Sequence, residues 1–139
     1  MIRKLLYAAL LTPLTLSTAF ADPAAPKQET VTPVFQHEIP NIPGKSLVSV
    51  VVNYAPGAKS VSHHHARSAF IYAYVLKGEI RSQVDNQPVK VYKTGEVFFE
   101  DPGAQHKISE NASKTKPASL LAVLVVDSND QPLTTPDAK

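Results

Sequence analysis

Between residues 33 and 127 the apolar residues fall into short runs of Val, Tyr, Phe, Ile and Leu, each cut off by Gly, Pro, Asn or Asp. Runs of this length and composition, with β-branched and aromatic side chains bounded by turn formers, predict strands. They lie at residues 47–54, 62–65, 70–76, 79–84, 89–92, 97–99, 106–109 and 119–126. Their connections carry turn chemistry: Ala55-Pro56-Gly57, Lys77-Gly78, the stretch 85–88 (Asp-Asn-Gln-Pro), Lys93-Thr94-Gly95 and Asp101-Pro102-Gly103. Outside the N-terminus no segment of helix length keeps a 3.6-residue apolar period. Strands at this spacing predict an all-β sandwich or barrel, with a jelly roll as the usual closure. The stretch 120–126, Leu-Leu-Ala-Val-Leu-Val-Val, is apolar at every position. It is therefore expected in the middle of a sheet, covered on both faces.

The two ends read differently. Met1-Ile2-Arg3-Lys4 is followed by an uncharged stretch to Phe20, and Ala19-Phe20-Ala21 precedes Asp22. A basic start, an apolar middle and a small-x-small end make a secretory signal peptide, expected to be cleaved after Ala21. A spanning helix needs about 20 apolar residues, and Pro13 interrupts this run. The protein is accordingly expected to be periplasmic or secreted, with no membrane attachment after cleavage. Residues 22–32, rich in Pro, Ala, Lys, Gln and Glu, read as a flexible lead-in, and residues 128–139 as a polar C-terminal tail.

The leader changes the charge picture. The whole chain of 139 residues carries a formal net charge of +2, from 14 basic and 12 acidic residues. Cleavage removes Arg3 and Lys4 and no acid, which leaves the mature chain neutral. No cluster of Lys or Arg remains to neutralise a row of phosphates, so nucleic acid is not an expected partner. There is no Cys, so an exported fold must be held by burial or a metal rather than by disulfides.

Candidate chemistry is concentrated in histidine. On a strand, His63 and His65 point to one face and His64 to the other. His106, three residues after Gly103, starts another strand and can be aimed at the same point. Imidazoles suit Fe, Mn, Ni, Cu or Zn, whereas Ca or Mg would need an oxygen cluster. A metal site requires nitrogens about 3 to 4 Å apart around a point about 2.1 Å from each.

The glycine placement gives these histidines a context. Gly57, five residues, His63-His64-His65 and then Gly78 match the first motif of the cupin superfamily; Gly95, five residues, Asp101-Pro102-Gly103, two residues and His106 match the second. The chain thus resembles a small single-domain cupin, which implies a jelly-roll β-barrel over residues 33–127 and makes His63, His65 and His106 the metal ligands. Two departures stand out. Ile71 occupies the position where the family's metal-binding Glu is expected, and Asp101 stands in place of the motif Pro, with Asn111 one place late.

Glu100, six residues before His106 and read as lying in the loop before the turn, is the candidate to supply the missing carboxylate as a further ligand or general base. If Ile71 faces inward, Tyr72 and Tyr74 face outward, towards another sheet or subunit. One of Phe98 and Phe99 should line a pocket together with Ile71, Val75 and the strand 121–125. Gln105 is a candidate hydrogen-bond partner for His106. Asn111-Ala112-Ser113 matches a glycosylation sequon but reads as a turn. The expected function is that of an exported cupin with a divalent metal on three His, acting on a small molecule as a dioxygenase-like enzyme. The alternative is a non-catalytic cupin that binds metal or a small ligand. A homodimer is compatible with the apolar last strand.

Overall fold

The computed structural model describes residues 29–138, so the signal-peptide reading and most of the lead-in fall outside the described residues. The described residues form ten strands and no helix. These are β1 (Glu29–Glu38), β2 (Lys45–Tyr54), β3 (His63–His65), β4 (Phe70–Lys77), β5 (Glu79–Val84), β6 (Lys90–Lys93), β7 (Val97–Glu100), β8 (Gln105–Asn111), β9 (Ala118–Asp127) and β10 (Thr134–Pro136). One sheet runs β1-β2-β9-β4-β7, the other β10-β3-β8-β5-β6, and every pairing is antiparallel. The two sheets stay separate rather than closing into a continuous barrel. The core between them holds Val48, Ile71, Val75, Leu120 and Leu124 of the first sheet and Ile80 of the second.

The all-apolar run sits where its composition demands. β9 pairs with β2 on one side and β4 on the other, so it is central. Its even residues, Ala118 to Val126, are buried in the core, and its odd residues are half-buried on the outer face. Gly78, the single residue between β4 and β5, has φ +72°. A Cβ there would stand 2.8 Å from the Pro117 carbonyl oxygen, so only glycine lets the chain cross from one sheet to the other at this point.

Both ends differ from the sequence reading. β1 begins at Glu29, inside the stretch read as a lead-in, and pairs with β2 from Glu29↔Tyr54 to Glu38↔Ser46. Pro33 masked it: proline is excluded from central strands but tolerated on an edge, and β1 is an edge strand with a register shift beside Pro33. Thr134–Pro136, read as tail, pairs with β3 as the other sheet's edge. It is held there by Asp137, whose carboxylate accepts from Ser62 and from Gln105 Nε2 at 2.7 Å and meets His64 Nδ1 at 2.5 Å. These bonds push the Asp137 pKa down to about 2.

Candidate metal centre

The pleat of β3 turns His63 and His65 inward and leaves His64 exposed. β3 pairs with β8 so that His106 lies directly opposite His63. His106 is therefore placed by strand register. The ring centroids of His63 lie 4.8 Å from His65 and 5.1 Å from His106. Nitrogens of all three rings fall within 4.8 Å of one another, slightly more open than a closed metal site needs.

Backbone carbonyls fix two of the tautomers. His63 Nδ1 donates to the Val61 carbonyl at 2.8 Å, and His65 Nδ1 faces the Leu133 carbonyl at 3.2 Å. A carbonyl only accepts, so both Nδ1 atoms carry hydrogen and both Nε2 atoms keep a bare lone pair. Burial lowers the His63 pKa and pushes that of His65 down to about 4, so both rings are neutral at pH 7. His106 has Nε2 at 2.9 Å from the Ser82 hydroxyl and Nδ1 at 3.0 Å from Glu100 Oε1.

Glu100 departs from the sequence reading in an informative way. It is no loop residue but the last residue of β7, only 2% exposed. It faces inward because Phe98, two residues earlier, does so as well. Its cross-strand partner on β4 is Ile71, the position where the resemblance expects the carboxylate. The neighbouring strand thus supplies what position 71 lacks. Burial pushes the Glu100 pKa up, but the hydrogen bond from His106 and the proximity of His106, His65 and His63 outweigh it, and the carboxyl sits below its ordinary range. Its second oxygen lies 3.7 Å from His65 Nε2 and has no hydrogen-bond partner. A buried, ionised oxygen without a donor, beside imidazole lone pairs, is costly unless a cation completes it. The donor set, three imidazoles and one carboxylate, fits a divalent transition metal.

The cluster opens into a cavity of about 390 Å³ between the sheets. Ile71 and Phe98 line it as expected, while Phe99 points outward, 57% exposed. Val75 is buried but lies off the cavity, and the wall from β9 is Leu120, Ala122 and Leu124 rather than its odd-numbered residues. Tyr72 is exposed on the outer face. Gln105 bonds Asp137 instead of His106, because it sits on the opposite side of the β8 pleat. Asn111, read as part of a turn, is instead the last residue of β8; it is buried and ties the loop that follows, donating to the carbonyls of Ala55 and Lys116 and accepting from Ser113 N–H.

Two sheets enclosing three inward histidines that arrive from paired strands define a β-sandwich protein with a polar centre in an apolar pocket. The Cupin domain family model matches residues 50–124, and the chain belongs to that family. No curated protein sequence matches it. Among solved structures it is similar to an oxalate oxidase in complex with the substrate analogue glycolate, at 22% identity and a TM-score of 0.59, over 81% of this chain and 56% of that one. It is also similar to an uncharacterised double-stranded β-helix protein from Klebsiella pneumoniae, at 20% identity and a TM-score of 0.62, over 84% and 90% of the two chains. A third is a protein from Thermus thermophilus, at 27% identity and a TM-score of 0.59, over 76% and 90%. The chain spans little more than half the length of the oxalate oxidase.

Proposed function

We propose that the protein is an exported cupin in which His63, His65 and His106 hold a divalent transition metal, with Glu100 as the fourth ligand or general base, and that it acts on a small organic molecule as a dioxygenase-like enzyme. The observation that carries this reading is the orphaned Glu100 oxygen, 3.7 Å from the Nε2 of His65, whose tautomer is fixed from behind, and beside the cluster of three histidines. Fe, Mn, Ni, Cu and Zn all suit these donors. When bound, such a metal supplies Lewis acidity and open positions for substrate.

The chain's own residues do the rest. Ser82, whose hydroxyl both donates and accepts, serves either tautomer of His106 and so allows Nδ1 to give up its proton when a cation arrives. Glu100, ionised and enclosed, can take a proton from a bound molecule. The walls of Ile71, Phe98, Leu120 and Leu124 exclude water from the centre. Among the described residues no Lys or Arg lines the cavity, so positive charge there would come from the metal alone.

We further propose that a second copy covers the outer face of the first sheet. Across paired strands, Phe99, Tyr72 and Val123 form one apolar row and Val97, Tyr74 and Leu121 the next, with no charged side chain among them. Such a face is complementary to itself.

The reading is tested by loading the purified chain with each metal and following O2 uptake with flavonoids, diketones and thiols. Uptake that depends on the metal and is lost in Glu100→Gln is expected. Metal retained with no uptake by any redox-active form would make the protein a non-catalytic cupin that binds metal or ligand. Export is tested by mass spectrometry of the periplasmic or secreted form, which should begin at Asp22.

A further inference from the structure

A second polar group lines the same cavity and takes no part in the centre just described. The Tyr54 side chain, 2% exposed at the end of β2, places its hydroxyl 2.8 Å from Ser60 Oγ and 2.8 Å from Ser109 Oγ. Ser60 in turn donates to the carboxylate of Glu29, at the start of β1. All four residues line the cavity that holds the three histidines.

The direction of this chain of hydrogen bonds is set by counting protons. A carboxylate only accepts, so the Ser60 proton is committed to Glu29. Ser60 must then accept from Tyr54, and Tyr54, its one proton spent, must accept from Ser109. Each hydroxyl points its proton towards Glu29. The Ser109 oxygen at the far end keeps acceptor capacity, and among the described residues no other donor reaches it. Ser109 lies on β8, three residues from His106, and both side chains are buried on the cavity side. The open end of the chain thus faces the space beside the histidines, and the closed end reaches Glu29, which is only half-buried.

We propose that Ser109, Tyr54, Ser60 and Glu29 form a one-way proton relay for a bound O–H acid with an apolar body, such as a phenol or an enol. The ligand hydroxyl donates to Ser109 Oγ. As its proton passes to Ser109, that of Ser109 passes to Tyr54, that of Tyr54 to Ser60 and that of Ser60 to Glu29. The net change is one O–H bond broken on the ligand, which keeps the electron pair, and one formed on Glu29. The negative charge moves from the cavity rim to the side of the three histidines. The apolar walls fit the body of such a ligand. The inference deepens the proposed function by naming a substrate class for the same cavity, and it rests on that reading only for the chemistry after deprotonation.

The test uses 4-nitrophenol, whose absorption changes on ionisation, bound to the metal-free full chain, so that its outcome does not depend on metal loading. The rate at which the bound probe ionises after a rapid temperature jump at fixed pH is compared in wild type, Glu29→Gln and Tyr54→Phe, with folding of each variant checked by thermal melting. The relay predicts relaxation about tenfold slower or more in both variants than in wild type. Simple electrostatics acts instead on the midpoint of ionisation, which removing a negative charge lowers without slowing the transfer. Unchanged or faster relaxation in Glu29→Gln overturns the relay, and a wild type that does not bind the probe overturns the ligand class. Failure of the metal reading appears separately, as a wild-type chain that takes up no metal. Tyr54→Phe removes a hydroxyl from a buried position; if it fails to fold, Ser60→Ala breaks the chain closer to the surface and must slow the relaxation in its place.

Discussion

At the residue scale the centre is governed by which groups are neutral and which are charged. His65, held by burial at a pKa of about 4, titrates near 6.5 in an unfolded chain. Between those two values the unfolded state binds a proton that the folded state refuses, so stability rises with pH. The contribution is complete above pH 6.5 and is lost as the pH falls towards 4. For the metal-free protein this amounts to about 3 kcal/mol from His65, and His63, lowered by burial as well, acts in the same direction. Denaturant melts of the apo-protein at pH 7 and pH 4.5 should differ accordingly, and equal midpoints would mean that the two rings are not buried as neutral groups.

The carboxylate makes a sharper prediction at this scale. Glu100 and Ile71 are direct cross-strand partners, and the Cβ atoms of such pairs lie about 5 Å apart. Glu100→Leu should weaken metal binding about 10- to 100-fold, the range typical of groups that support a metal site. Adding Ile71→Glu to that variant should recover part of the loss, measured by competition with a chelator. If the double variant binds no better than Glu100→Leu, the two positions do not share one site.

At the element scale the turns decide how the strands cross between sheets. Gly78→Ala forces a Cβ against the Pro117 carbonyl in a left-handed conformation and should cost about 2 kcal/mol or more. Gly44→Ala, also at positive φ but with nothing within 4 Å, should cost only about 1 kcal/mol. Thermal melts distinguish the two, and equal losses would mean that the close approach at Gly78 does not matter.

The strands β2 to β9 were legible from their runs, two of them, β6 and β7, even at sheet edges. The first and last strands, β1 and β10, were not, because they are edge strands with little buried surface to impose an apolar pattern and they carry Pro33 and Pro136. The three histidines were legible from alternation and glycine spacing. Glu100 was half-legible: it was singled out as a candidate, but its burial depends on β7 running one residue past Phe99. The Tyr54 chain was not legible, since Glu29, Tyr54, Ser60 and Ser109 are joined only by the pairing of β1 with β2 and by the packing of one sheet on the other.

At the scale of the whole molecule, two sheets share their inner faces between core and site and leave one outer face apolar. Phe70 and Phe99 stack there at 6.1 Å while both stay exposed, Phe99 the more so. A dimer through this face should separate when Phe99→Glu places like charges across the symmetry axis. Sedimentation analysis should then give a dimer for wild type and a monomer for the variant, and a monomeric wild type would remove the second copy from the account.

The central claim is that inward histidines and a buried glutamate hold one metal ion. Elemental analysis of the purified protein tests it most directly. The expected result is about one divalent transition-metal ion per chain, lost in both His63→Ala and His106→Ala. A wild-type chain that takes up no metal after reconstitution, or two folded variants that keep it in full, would contradict the claim.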